Sequence, residues 1–107
     1  MARVFSQAEA KRLDLPGRKS MELVSGERGA SSATVRLVEI AVRRPGDATR
    51  ARHSHKNCEE CIFVLSGQGE TSAESGEHRI KSGDLLWIPA GEAHVTPTTV
   101  SEPLVIL

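Results

Sequence analysis

Apolar and polar residues alternate over short stretches through most of this chain, and Gly, Pro, Asn, Asp and Ser residues separate these stretches. Short strands with turn signals every ~8–12 residues are typical of an all-β sandwich or barrel. No segment after residue 20 keeps the apolar period of an amphipathic helix. The pattern therefore predicts an all-β fold, with strands over residues 20–25, 34–43, 60–66, 84–89 and 103–107 and a more polar hairpin around Ser75-Gly76-Glu77.

The first 32 residues are less regular than the rest. Residues 3–5 fit a short edge strand, residues 6–13 fit a turn or two of helix, and Pro16-Gly17 predicts a turn. Residues 26–32 are predicted to form a loop. We expect a single domain of 107 residues, with an N-terminal arm and strands over residues 1–32 and a barrel over residues 33–107.

The apolar parity of the strand over residues 34–43 switches between Leu37 and Val38. A β-bulge would produce such a switch, and so would a strand that is covered on both faces. The pattern leaves both alternatives open.

Composition and charge narrow the function classes. The 14 basic and 14 acidic side chains balance, so no broadly basic surface for nucleic acid or an anionic membrane is expected. Aromatic residues are 3% of the chain, which is too few for a base-stacking platform. The N-terminus lacks the apolar region of a secretory signal, and no apolar run approaches the ~20 residues of a membrane span. The two cysteines fit a reducing compartment. Together these features predict a cytoplasmic protein that binds neither nucleic acid nor membrane.

Three histidines and a glutamate indicate a metal site. His53 and His55 point to the same face if their segment is extended, because residues i and i+2 do so in a strand. Glu60 opens the next predicted strand, and a hairpin pairing would place its carboxylate beside the two imidazoles. With a further histidine nitrogen, these atoms form an ordinary ligand set for a first-row divalent ion.

These segments resemble the two motifs of the cupin superfamily, Gly-x5-His-x-His-x3,4-Glu-x6-Gly and Gly-x5-Pro-x-Gly-x2-His-x3-Asn. The first fits from His53 to Gly67, and the second fits from Gly83 to His94, with 15 residues between the two motifs. The resemblance covers roughly residues 33–107. It implies a jelly-roll or double-stranded β-helix barrel that holds one divalent metal ion inside. The ligands that it implies are His53, His55, Glu60 and His94.

The chain departs from the motifs at two positions outside the ligands. Six residues separate Gly46 from His53, where the motif has five, which is a one-residue insertion. Thr98 stands where the second motif has its closing Asn. This chain therefore lacks the side-chain amide that the motif has at that position.

Two adjacent glutamates compete for the carboxylate position. We assign it to Glu60, because six residues separate it from Gly67 as the motif requires. Glu60 also shares strand parity with Ile62 and Val64, which we expect to face the interior. Glu59 would then face outward.

Contacts to a substrate are only weakly indicated. Arg36 would bind a carboxylate if it faced the pocket, and Cys58 shares the parity of Glu60. Trp87 fits a core or a dimer interface better than a ligand platform. Ile62 is a further candidate, as a side chain that lines the pocket. Cys61, His78, Arg50 and Arg52 are expected to lie away from the site.

The leading functional hypothesis is a metal-dependent enzyme on a small polar organic substrate, because three histidines and one carboxylate leave coordination positions open. The resemblance implies a dioxygenase, isomerase, lyase or sugar-acid processing class, and Mn, Fe, Co, Ni and Zn all suit the ligands. The alternatives are a non-catalytic metal-dependent binder or sensor of a small molecule, and a protein whose metal is structural. Apolar residues on both parities of the strands over 34–42 and 60–66 further predict a homodimer.

Overall fold

The computed structural model describes residues 1–44, 46–47, 51–99 and 102–107. These residues form an all-β protein. Its strands are β1 (Lys11–Leu15), β2 (Arg18–Val24), β3 (Val35–Ile40), β4 (Glu60–Ser66), β5 (Gln68–Ala73), β6 (Gly76–Lys81), β7 (Leu85–Ile88) and β8 (Leu104–Ile106).

Six of the strands form one antiparallel sheet in the order β1-β2-β3-β8-β4-β7. The C-terminal strand β8 lies in its middle, where Ile106 pairs with Val38 of β3 and with Val64 of β4. Both of its neighbours come from distant parts of the chain, so β8 joins the β1-β2-β3 part of the sheet to the β4-β7 part.

The hairpin β5–β6 forms the regular part of a second, smaller sheet. His94 forms bridges to Ala73 of β5 on one side and to His53 on the other, and Thr98 forms a bridge to Glu70. The segments around residues 53 and 94 therefore extend this hairpin, and His94 lies between its two neighbours. This second sheet faces the first.

The hydrophobic core lies between the two sheets. One cluster of buried side chains joins Ile80 of the small sheet to six residues of the large sheet, namely Ile40, Ile62, Val64, Ile88, Leu104 and Ile106. Val38 and Leu86 pack against this cluster. Residues of one parity on each strand thus face inward, as the alternating pattern predicts.

The parity switch in β3 results from a strand that is covered on both faces. Val38 packs against the core, whereas Leu37 pairs with Met21 on the opposite face of the sheet. Met21 is only 5% exposed there, and Gln7 of a short 3-10 helix contacts its sulfur. The register irregularity in this pair of strands lies between Glu22 and Val24 of β2 instead.

The N-terminal predictions were partly wrong. Residues 3–5 form no strand, and the helical part of residues 6–13 is limited to the 3-10 turn Gln7–Glu9. Residues from Lys11 onward belong to β1 because each residue of Lys11–Leu15 pairs with one of residues 18–22 in β2. Tertiary pairing here outweighs the local pattern. Strand β4 covers residues 60–66 as predicted, and the one-residue insertion before His53 falls where residues 48–50 lie outside the described ranges.

Helical structure in the described ranges consists of the three-residue turns Gln7–Glu9 and Gly26–Arg28. Neither has the length or the apolar composition of a membrane span.

Gly67, the last residue of the first motif, tests how tightly β8 closes the large sheet. Its φ is 84°, and a Cβ at this position would lie 2.4 Å from the Pro103 carbonyl oxygen. Gly83 has a similar φ of 92°, but a Cβ there meets nothing within 4 Å. Gly83→Ala should therefore lower the free energy of unfolding by only the ~1–2 kcal/mol of a left-handed L-residue, and Gly67→Ala should lower it further. Urea denaturation of both variants measures this, and equal losses would contradict the close approach.

Candidate metal centre

His53, His55 and His94 come from the small sheet. The His53 amide donates to the His94 carbonyl at 2.8 Å, and the His94 amide donates back to the His53 carbonyl at 2.9 Å. The Gly91 amide donates to the His55 carbonyl at 2.8 Å. The two histidines of the first motif are thus tied to the turn and the histidine of the second motif by backbone hydrogen bonds.

Glu60 reaches the same point from the other sheet. It opens β4 and pairs with Ile88 of β7, not with the segment of His53 and His55. The expected hairpin is therefore wrong, because that segment pairs with residues 91–94 instead. The carboxylate still lies beside the imidazoles, since the two sheets face each other across the interior.

The four side chains form a compact group, hereafter the ligand cluster: His53, His55, Glu60 and His94. One ligand atom from each lies within 4.8 Å of all the others. Glu60 Oε2 is 2.7 Å from His94 Nε2 and 3.7 Å from His55 Nε2. The ring centroids of His53 and His94 are 4.3 Å apart.

His94 is held in the state that metal binding needs. Its Nδ1 lies 3.0 Å from the Glu92 carbonyl oxygen, which can only accept a hydrogen bond. Nδ1 therefore carries the proton, and neutral His94 presents the lone pair of Nε2 toward the cluster.

Two atoms of the cluster are buried without a hydrogen bond. They are Glu60 Oε2 and His94 Nε2. Although these atoms are 2.7 Å apart, their directions do not satisfy a hydrogen bond. Buried acceptors without a donor are costly. A cation that accepts lone pairs from both atoms removes this cost, so the donor set fits a divalent metal ion.

Exposure rises across the cluster from the interior to the surface. The His94 side chain is 2% exposed, that of Glu60 is 35% exposed and that of His55 is 46% exposed. The cluster therefore lies at the mouth of the barrel, where a small molecule can approach it from solvent.

The surroundings of His53 favour its neutral form. Partial burial lowers its pKa most, and the neighbouring His94, His55 and Arg18 lower it further, against the opposing charge of Glu60. A neutral imidazole is the form that binds a metal ion.

The candidates for substrate contact are not members of the ligand cluster. Arg36 forms an ion pair with Glu22 at 3.1 Å, so the protein itself supplies its carboxylate. Cys58 is exposed and does not belong to the cluster. Trp87 is exposed on the outer face of β7, where its indole N–H donates to Glu59 at 3.0 Å. Ile62 is buried in the core.

Two features of the site were missed by the sequence analysis. The Arg18 guanidinium donates to Thr96 Oγ1 at 2.8 Å, which links β2 to the strand segment that carries His94. The Ser75 hydroxyl lies 2.8 Å from both His78 Nε2 and Glu92 Oε2, which ties the β5–β6 turn to the residue whose carbonyl orients His94. Both features join residues from different strands, so no local pattern reports them, although the position of Thr96 two residues after His94 is a usable signal.

Arg52, expected on the surface, is exposed and donates to Ser72 at 2.8 Å, whereas Arg50 lies outside the described residues.

Comparison with known proteins places the chain in a family. The sequence model of the cupin domain matches residues 40–107, so the chain belongs to the cupin family. An uncharacterized protein of Methanocaldococcus jannaschii is 31% identical over 55 residues, which are 51% of this chain and 44% of that protein. The match thus spans less than half the length of that relative.

Solved structures share the fold. A sugar phosphate isomerase of the cupin superfamily from Silicibacter pomeroyi has a TM-score of 0.74 at 24% identity, over 97% of this chain and 72% of that chain. KdgF from Halomonas sp. has a TM-score of 0.76 at 20% identity, over 99% and 90%. Hydroxypropylphosphonic acid epoxidase from S. wedmorenis has a TM-score of 0.78 at 19% identity, over 98% and 56%. These similarities confirm the predicted jelly-roll barrel of the cupins.

The Glu22–Arg36 pair predicts a pH dependence of stability. Hydrogen bonds from Arg36 lower the pKa of Glu22, against the burial of the carboxyl, which raises it. A carboxyl with a lowered pKa in the folded state stabilises the protein above its unfolded pKa of about 4.3, and this stability is lost as the pH falls through the folded value. Glu22→Gln should therefore flatten the acid limb of the stability profile.

The measurement is the midpoint of chemical unfolding between about pH 3 and pH 7. Glu27→Gln is the matched control, because Glu27 pairs with Lys11 at an exposed site and a surface pair contributes little. Equal acid limbs for Glu22→Gln and the unsubstituted protein would contradict the prediction.

Proposed function

We propose that this protein is a metal-dependent cupin enzyme that binds one divalent transition metal at the ligand cluster and acts on a small polar organic molecule. The observation that carries the proposal is the cluster itself, in which a buried carboxylate oxygen and a buried imidazole nitrogen meet without a hydrogen bond. Mn, Fe, Co, Ni and Zn all accept this mixture of nitrogen and oxygen ligands.

The position of the cluster supports a reactive rather than a structural role. Four protein ligands leave room for further ligands on Mn, Fe, Co or Ni, and the exposed edges of His55 and Glu60 leave that side accessible. A divalent ion bound here would supply Lewis-acid polarisation of a carbonyl or carboxylate, or a site for dioxygen. The chain's own contribution is to fix His94 through the Glu92 carbonyl and to hold Glu60 at the start of β4.

The names of the fold relatives agree with enzymatic use of such a barrel. They include an isomerase and an epoxidase. Since the fold alone does not determine the reaction, the proposal stays at the level of a small polar organic substrate.

One observation favours a second candidate, a non-catalytic binder or sensor of a small molecule. In the part of the chain that the structure describes, no fifth His, Cys, Asp or Glu joins the cluster. General acid–base chemistry usually uses a titratable group beside the metal ligands.

A single experiment separates the two candidates. Protein loaded in turn with Mn, Fe(II), Co, Ni or Zn is incubated with hydroxy acids, keto acids and sugar acids, and the mixtures are followed by NMR. Metal-dependent conversion that disappears in Glu60→Ala supports the enzyme. Metal-dependent binding without conversion supports the binder, and neither binding nor conversion contradicts both.

Metal retention should depend on Glu60 and not on its neighbour. Glu60 Oε2 lies inside the cluster, whereas Glu59 is exposed and accepts a hydrogen bond from Trp87. Glu60→Ala should weaken metal binding by at least the ~10–100-fold that is typical for residues that merely orient ligands. Glu59→Ala is the matched control and should bind metal normally.

The measurement is elemental analysis and metal titration of protein that was purified without a metal-affinity column. Loss of metal in Glu59→Ala together with retention in Glu60→Ala would overturn the assignment.

We also propose that the protein forms a homodimer through the outer face of β4 and β7. Four large apolar side chains are exposed on this face, namely Phe63 at 37%, Leu65 at 45%, Leu85 at 58% and Trp87 at 55%. Phe63 pairs with Leu85 in the sheet, so the side chains form a continuous patch, and β7 is an edge strand. A patch of this kind beside an open edge is typical of an interaction site.

The dimer is tested with Leu85→Glu, which places a charge in the middle of the patch. Light scattering at micromolar concentration should show a dimer for the unsubstituted protein and a monomer for Leu85→Glu. Val4→Glu is the control, because Val4 is 95% exposed outside the patch. A monomeric unsubstituted protein would refute the proposal.

A further inference from the structure

Two arginines lie on the inward face of the large sheet, and they differ in their partners. Arg18 pairs in register with Ile40, and Arg36 pairs with Glu22. Arg36 is neutralised by Glu22 at 3.1 Å. Within the described residues, no carboxylate lies at ion-pair distance from Arg18. Arg18 is thus a half-buried cation with no carboxylate counter-ion among the described residues.

A neutral hydroxyl holds Arg18 in place. Arg18 Nη1 donates to Thr96 Oγ1 at 2.8 Å, across the interior from β2 to the opposite sheet. A guanidinium has five N–H donors in a rigid fork. The contact with Thr96 fixes the direction of the fork but leaves its charge uncompensated.

This contact places Arg18 next to the ligand cluster. Thr96 follows His94 by two residues, a separation of roughly 7 Å in extended chain. A guanidinium and a group of metal ligands therefore share one end of the barrel interior.

The charges at this end favour an anion. A divalent ion held by one carboxylate and neutral imidazoles keeps a positive charge. Arg18 adds a second positive charge at the same end of the barrel, where it is held by Thr96, two residues after His94. A carboxylate or phosphate matches the guanidinium fork in shape as well as in charge.

We infer that Arg18, oriented by Thr96, binds the anionic group of the substrate, a carboxylate or a phosphate, while a second oxygen of the same molecule contacts the metal. This inference rests on the proposed function and narrows its substrate class to small organic acids or phosphate esters with a second oxygen donor. It also replaces Arg36 by Arg18 as the anion-binding residue.

The test is calorimetric titration of the metal-loaded protein with three probes: malonate, inorganic phosphate and the uncharged malonamide. Malonate or phosphate should bind, and malonamide should not. Arg18→Gln should weaken binding of the anionic probe about 10- to 100-fold, as expected for loss of a charge-assisted hydrogen bond. The stronger of the two anionic probes identifies the carboxylate or the phosphate as the preferred group.

Further variants separate the role of Arg18 from general effects on the fold. Arg18→Lys keeps the charge without the fork and should lose part of the affinity, and Thr96→Val keeps Arg18 but removes its anchor and should also weaken binding. Arg12→Gln removes the same charge from the opposite face of the sheet, where Arg12 pairs with Met21, and should bind the probes normally. Thermal unfolding of each variant reports whether it is folded.

The metal content of Arg18→Gln distinguishes the two proposals. Normal metal content with weakened anion binding supports the role of Arg18. Normal metal content with unchanged anion binding, or no anion binding by the unsubstituted protein, overturns that role and leaves the metal site intact. An unsubstituted protein that binds no metal refutes the proposed function. The same titration of the metal-free protein then decides whether Arg18 alone binds the anion.

Discussion

The contact between Glu60 and His94 across the barrel is the interaction on which the site depends. Glu60 belongs to the large sheet and His94 to the small one, yet Oε2 and Nε2 lie 2.7 Å apart. This proximity exists only because the core cluster of isoleucines, Val64 and Leu104 holds the two sheets face to face. Like many functional sites, this site contains buried polar atoms that form no hydrogen bond with the described residues.

The inner face of the large sheet carries two arginines, Arg18 and Arg36, that have different partners. Glu22 is 8% exposed and is compensated by Arg36, which accounts for a buried carboxylate in a small barrel. Arg18 has the same orientation but receives only a hydroxyl from Thr96. Since an unpaired charge in a partly buried position is unfavourable, the difference between the two arginines is the clearest electrostatic asymmetry near the site.

The outer face of the large sheet also differs between its two ends. At one end, Gln7 of the N-terminal 3-10 turn contacts Met21, which is buried on the outward side of β2. At the other end, Phe63, Leu85 and Trp87 remain exposed on β4 and β7. The N-terminus of the chain thus covers an apolar side chain at one end of this face. The apolar side chains exposed at the other end form the surface proposed to contact a second copy of the chain.

The amino-acid sequence by itself determined the all-β fold, the strand β4 and the four side chains that lie together in the ligand cluster. Alternation along a strand decides which side chains share a face, and this placed Glu60 with Ile62 and Val64 and Glu59 on the outside. The tertiary structure alone decided which strands are neighbours. His53 pairs with His94 rather than with the strand of Glu60, Arg36 meets Glu22, and Arg18 meets Thr96, 78 residues away. Contacts between segments so far apart depend on how two twisted sheets pack against each other, and the periodicity within one segment carries no record of the segment that faces it.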